Sequence, residues 1–231
     1  KYYFAKNVKP YHYMKILSVL TALLFFYQSN AQKNYNFDSL ANRICESFKT
    51  TAAYPDSVRI EKAFEKHLAI FENKSQKEAE DIYLVLYLKL QMTCPGFDRI
   101  TEMVTAGKDD GKTITKDLPG KANASSCSKI YGQNWFYYMQ GESRINTYIN
   151  DSTWKSLFPD GTYSLLKLKK TNDCEFVISF EESNNFVIAN SLTKGYQFRY
   201  RIIEEFPEYY QVLSEDIATK KKQLFKLYLL K

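Results

Sequence analysis

The residues of this chain best able to do covalent or acid–base chemistry are few. They are four cysteines, Cys45, Cys94, Cys127 and Cys174, one histidine after residue 31, His67, and two adjacent pairs of acids, Glu181-Glu182 and Glu204-Glu205. A Ser-His-acid or Cys-His machine needs a histidine base. His67 falls on the apolar face of a helical run and has no second histidine to share a site with, so it reads as a satisfied or rim residue. Sugar hydrolysis would need two carboxylates flanking one cleft, but neighbours along a strand point to opposite faces. Both acid pairs also fall at strand ends beside turns, where a solvated surface role is the expected one. The eight glycines are scattered and form neither a P-loop nor a dinucleotide fingerprint. Zinc binding fails on spacing, because no two cysteines lie close together. The sequence therefore predicts no catalytic residue, no metal and no cofactor.

Cysteine chemistry depends on compartment, and the stretch Met14–Gln32, MKILSVLTALLFFYQSNAQ, bears on that. Lys15 is followed by twelve largely apolar residues, Ile16 to Tyr27, and then by Ser29-Asn30-Ala31, whose small first and third residues suit a signal peptidase. At about 1.5 Å per residue the apolar run covers roughly 18 Å, short of the roughly 30 Å a spanning helix must cross. It reads as a cleavable signal, with residues 1–13 as an extension from a start site placed upstream. The expected location is the periplasm or the outside of the cell, and no membrane span is expected in the mature chain.

In an oxidising compartment an even set of cysteines reads as disulfides. Four cysteines allow three connectivities. The pairing Cys45 with Cys94 and Cys127 with Cys174 is preferred because each bridge then stays within one of the two segments described below. Removal of the leader also corrects the charge. The chain holds 32 basic and 26 acidic residues, a net +6, but residues 1–31 supply four lysines and no acid, leaving 28 against 26, or +2. Near-neutrality removes the electrostatic argument for a nucleic-acid partner. The one remaining basic run, Lys220-Lys221-Lys222, reads as a solvated hairpin tip.

The elements that must position these residues divide by period. Phe37, Leu40, Ile44 and Phe48 recur at steps of three and four, as on one helix face. A second helical run follows Pro55-Asp56-Ser57 through Ile60, Ala63, Phe64, Leu68 and Phe71. Ser75-Gln76-Lys77-Glu78 is a capping box that starts a third helix through Ile82, Tyr83, Leu86 and Leu90, stopped by Cys94-Pro95-Gly96. Phe97, Ile100, Met103 and Val104 suggest one more short piece. The expected unit is a small helical bundle over 33–106. Residues 107–126, rich in Gly, Lys, Asp and Ser, read as a flexible linker that would let the halves move independently.

From Cys127 to residue 231 the period is two, as in Arg144–Ile149. Turns at Phe158-Pro159-Asp160-Gly161 and Thr171-Asn172-Asp173 separate the early strands, an irregular piece covers 184–194, and three further strands reach the C-terminus, seven or eight in all. Twenty of these 105 residues are Phe, Tyr or Trp, enough to line the inner face of an antiparallel meander that curls to manage its edges. The fold class expected is α+β, a helical bundle followed by a barrel or half-barrel.

Cys127 followed by Tyr131-Gly132 and an aromatic strand, then Arg144-Ile145, Asn172-Asp173-Cys174-Glu175-Phe176, Lys194-Gly195 and the strand Phe225 to Lys231 resemble a group of uncharacterised secreted proteins of Bacteroidota-type bacteria. The resemblance covers about the last hundred residues. It implies a lipocalin-like antiparallel sheet with Cys127 and Cys174 bridged, and it brings no activity with it. Asn42-Arg43-Ile44-Cys45 and Met92-Thr93-Cys94-Pro95 look like a helical domain of similar exported proteins. Where the group has a Trp two residues before the Asn-Asp-Cys turn, this chain has Lys169-Lys170.

The functional expectation is an exported, non-catalytic protein whose sheet binds an apolar or amphipathic small molecule among Trp135, Phe136, Tyr148, Tyr163, Phe180, Phe198 and Tyr200. The alternative is an envelope or cell-surface module whose partner is another protein. Filling of the core by the same rings is the plainer role for them.

Overall fold

A computed structural model describes residues 35–97, 111–132 and 134–230. The leader, the helical piece expected around Ile100 to Val104 and the first part of the linker lie outside the described residues.

Helix α1, Phe37–Thr50, buries Phe37, Leu40, Ala41, Ile44, Cys45 and Phe48 along one stripe. Helix α2, Asp56–Glu65, follows Pro55, whose carbonyl accepts from the Val58 and Arg59 amides. The expected run to Phe71 breaks at Lys66, and Leu68–Phe71 continues as a 3₁₀ turn. The break brings His67 to Ser47, Nε2 lying 3.1 Å from Oγ. Helix α3, Gln76–Thr93, starts on the capping box, with the Glu78 amide donating to Ser75 Oγ and the Ser75 amide to the Glu78 carboxylate at 2.9 Å. Its inner stripe, Ile82, Val85, Leu86 and Leu90, packs on α1. Lys89, nearly buried on the same helix, pairs with Asp38 of α1. The Cys45–Cys94 disulfide joins the middle of α1 to the end of α3.

The sheet is antiparallel throughout. Strands β2 (Asn134–Gln140), β3 (Ser143–Ile149), β4 (Thr153–Leu157), β5 (Tyr163–Asn172), β6 (Glu175–Ser183), β7 (Gln197–Glu205), β8 (Tyr209–Asp216) and β9 (Lys222–Leu229) pair in sequence, and β9 returns to β2 to close an eight-stranded barrel. A ninth strand, β1 (Lys112–Ile114), adds to β9 at Lys222 to Leu224. Closure is economical: β2 meets β9 only at Phe136–Leu229 and Tyr137–Tyr228. Beyond that point the two strands pair no further with each other, and β1 takes the free edge of β9 instead.

Two helical pieces complete the barrel. Helix α4, Ala124–Ser128, is capped by Asn123 and runs into a 3₁₀ turn, Lys129–Tyr131, burying Cys127, Ile130 and Tyr131. The Cys127–Cys174 disulfide ties this plug to the β5–β6 turn. Helix α5, Phe186–Ser191, occupies the stretch expected to be irregular; Asn185 caps it, and it packs against α3.

The described part of the expected linker is fastened rather than free. Besides the β1–β9 pairing, the Lys121 and Ala122 amides both donate to the Ile203 carbonyl, at 2.7 and 3.0 Å. A bulge between Ile202 and Glu204 allows Ile202 and Ile203 both to be buried, where strict alternation would expose one of them. The helices and barrel from Phe37 onward form one compact unit. Phe37 meets Phe186 edge-on at 6.1 Å, and Lys221 donates to the Gln91 carbonyl at 2.6 Å. That carbonyl belongs to the last turn of α3, whose acceptors have no partner within the helix. Lys221, expected at a solvated tip, therefore caps α3, while Lys222 pairs with Asp117 at 2.7 Å.

Among the described residues no helix is long and apolar enough to cross a membrane.

Candidate functional site: a cavity in the barrel

Successive inward positions along each strand pass from a packed end to an open one. On β2 the series is Phe136, then Tyr138 and Gln140; on β6 it is Phe176, Ile178, Phe180; on β7, Ile202, Tyr200, Phe198; on β9, Leu227, Phe225, Gln223. The first members are fully buried in the core around the α4 plug. The later ones line a cavity of about 480 Å³. Its floor is aromatic: Tyr200 stacks on Phe176 with centroids 5.4 Å apart, and Trp154 leans on Tyr200 at 5.1 Å. Tyr87, Leu88 and Gln91 of α3 and Ile188 of α5 cover the far side. An adjoining space of about 410 Å³ shares Leu88, Gln91, Ile188 and Phe198 and continues to Met92 and Ser191, so the cavity leads out beneath the helices. Gly111, Met139 and Gln140 also line it, at the place where β2 and β9 no longer pair.

The polar side chains lining it are hydroxyls and the amides of Gln91, Gln140 and Gln223. Trp154 Nε1 donates to Ser156 Oγ at 3.1 Å, and Ser156 exchanges a hydrogen bond with Thr147 at 3.0 Å, whose Oγ1 in turn reaches the Lys155 carbonyl at 3.2 Å. The Tyr138 hydroxyl lies near Ser156, which partly offsets the rise that burial gives its pKa. A single direction of donation, Trp154 to Ser156 to Thr147 to the Lys155 carbonyl, accounts for the three bonds. Tyr200 has no such partner: among the described residues nothing hydrogen-bonds its hydroxyl. Burial raises the pKa of both tyrosines, so each keeps its proton. Among the described residues no Asp, Glu, Lys, Arg or His lines the 480 Å³ space.

The seven aromatic residues expected to bind a ligand separate by face. Phe180, Phe198 and Tyr200 line the cavity, whereas Phe136 lies in the packed end. Trp135, Tyr148 and Tyr163 are on the outer surface. Trp135 is 42 % exposed beside Tyr148, and Tyr163 donates to Glu182 beneath the Lys155 ammonium. The reason is the pleat itself. Trp135 and Phe136 are consecutive in a strand and cannot share a face, a signal already present in the sequence. Tyr138, Trp154 and Phe225, missed in the sequence, follow from the same alternation, whereas Tyr87 and Leu88 carry no local sign that their helix would cover the barrel.

The acid pairs stand outside the cavity. Glu181 pairs with Lys194 at 3.1 Å and with Lys167, and both lysines hold its carboxyl below the usual range. Glu204 pairs with Lys121; Glu205 pairs with Lys129 at 2.9 Å and accepts from Tyr210. Among the described residues no cluster of His, Cys, Asp or Glu could hold a metal ion.

No family model, no curated protein and no solved structure matches this chain.

Proposed function

We propose that this is an exported, non-catalytic protein whose barrel carries an apolar or amphipathic small molecule in the lipocalin-like manner that its C-terminal residues suggest. The observation that carries the reading is the cavity. At about 480 Å³ it falls in the range of about 300 to 1,000 Å³ typical of small-molecule sites, and eight-stranded barrels are just wide enough for one such ligand. Export is supported by the signal-like leader and by the two disulfides, which persist in oxidising compartments. The carboxylates engaged in surface ion pairs support a non-catalytic role.

Native mass spectrometry of protein purified from its own host tests the proposal. Retained mass above the polypeptide, lost on organic extraction, is the expected result. A polypeptide of bare mass that also takes up no apolar fluorophore would exclude a carrier.

The outer face favours a second reading, docking on another envelope protein. Tyr137 stacks on Tyr228 at 4.8 Å, Tyr209 follows at 5.6 Å and Phe206 stacks on Tyr209 at 4.6 Å, making an aromatic strip across β2, β9 and β8. Loss of a cross-linked partner on Tyr228→Ser, with cavity binding intact, would distinguish this role.

A further inference from the structure

The cavity also indicates what kind of molecule it would take, an inference that rests on the carrier reading above. Three features of the walls bear on it. First, charged side chains at the outer chamber are already engaged. Asp216 accepts from the Tyr196 hydroxyl at 2.6 Å and from the Ala218 and Thr219 amides. Lys222 is held by Asp117 and Lys221 by the α3 carbonyl. An ionised ligand entering the 480 Å³ space would find hydroxyls, neutral amides and rings rather than a counter-ion, and burying an unpaired ion is costly. Second, the inner walls are built of rings, with Trp154, Tyr200, Phe225 and Tyr138 set at centroid distances of 5.1 to 6.1 Å in tilted and edge-on arrangements. Aromatic walls of this kind receive a further ring by offset stacking or edge contact.

Third, the floor carries two phenol hydroxyls, those of Tyr138 and Tyr200. Tyr138 lies beside Ser156 at the same end of the cavity. Tyr200, unpartnered among the described residues, has a proton to give. A hydroxyl group at the floor would accept from Tyr200 and have its own proton to give to a neighbouring oxygen such as that of Tyr138. Burial keeps both tyrosines protonated, so each can donate as well as accept. We infer that the ligand is an uncharged, ring-bearing molecule carrying a hydroxyl group, and that Tyr200 and Tyr138 at the cavity floor recognise that hydroxyl.

The test is calorimetric titration of the full chain, disulfides intact, with 2-naphthol and 2-naphthoate, which share a ring system and differ in charge. Binding of 2-naphthol with 2-naphthoate weaker by about a hundredfold is expected from the cost of an unpaired buried carboxylate. Tyr200→Phe keeps the ring that stacks on Phe176 and should weaken 2-naphthol by about three- to tenfold, the worth of one hydrogen bond. The same variant should leave 2-methoxynaphthalene less affected. Trp135→Ala, on the outer surface, should leave all three probes unchanged. Equal or tighter binding of 2-naphthoate, or an unchanged 2-naphthol affinity in Tyr200→Phe, would overturn the inference while leaving the carrier reading standing. Absence of binding by every probe, together with a bare mass in native spectra, would overturn both.

Discussion

If the barrel has a packed end and an open end, two inward phenylalanines, one at each end, should differ sharply when truncated. Phe136 has no solvent exposure and meets Tyr210 edge-on at 6.3 Å. Phe136→Ala removes a fully buried ring and leaves a void that a plugged, disulfide-tied end cannot collapse to fill, a loss of about 3 to 5 kcal/mol. Phe198 lines the cavity and keeps close ring contact with Tyr196 at 5.3 Å. Part of its surface already faces open space, so Phe198→Ala forfeits fewer contacts and creates little new void, about 1 to 2 kcal/mol by the same reasoning. With a urea slope of about 2 kcal/mol per molar, the midpoints should fall by roughly 2 M for Phe136→Ala and by less than about 1 M for Phe198→Ala. Equilibrium urea unfolding followed by far-UV circular dichroism measures both. Equal losses would mean that the ring at 198 is packed like a core residue and that the space beside it is closed in solution, which would refute the division of the barrel into two ends.

Other expectations follow from the same structure. Each disulfide closes a loop of 47 or 49 residues, worth about 4 kcal/mol on the chain-entropy model; intact mass should show no free thiol, and paired Cys→Ala variants should lose stability in proportion. Ser75→Ala removes the capping-box acceptor of α3 and should cost about 1 kcal/mol, read as a lower thermal midpoint. His67 is held below the usual histidine pKa of 6.5, first by burial and then by Arg43 and Lys66. Its contribution to stability is then fully present above pH 6.5 and is lost as pH falls from there through the lowered folded value, because the unfolded chain binds the proton first. NMR titration of the ring should find that lowered value, and a ring titrating at or above 6.5 would contradict the burial argument. Lys221→Met removes the cap on α3 and should raise amide exchange in the last turn of that helix while leaving the barrel strands protected.

Much of the architecture is legible before any coordinates. The helical stripe of α1, the Ser75–Glu78 start of α3, the alternation in β3 and the even cysteine set each rest on short-range rules: a 3.6-residue turn, a reciprocal cap, a pleat, an oxidising compartment. The inward positions of β2 were legible as well, since Phe136 and Tyr138 are two apart, although grouping Trp135 with Phe136 obscured them. What the sequence alone determines is therefore the type of the longer elements and the face of each regular strand, while the short helix Phe186–Ser191 and the strand Lys112–Ile114 carry too few residues to show a period.

Tertiary structure decides the rest, because it depends on contacts between residues distant along the chain. The bulge that buries both Ile202 and Ile203 lies where the segment around Lys121 and Ala122 docks, about eighty residues away in sequence. The Lys221 cap on α3 joins residues 130 apart, and no local pattern marks Tyr87 and Leu88 as the roof of a cavity. Whether a ring fills a core or lines a void is decided by what stands opposite it. Along one barrel wall the same alternation gives Phe176 a plug to pack against and Phe180 an open chamber, and only the closed sheet with its helical cover sets that difference.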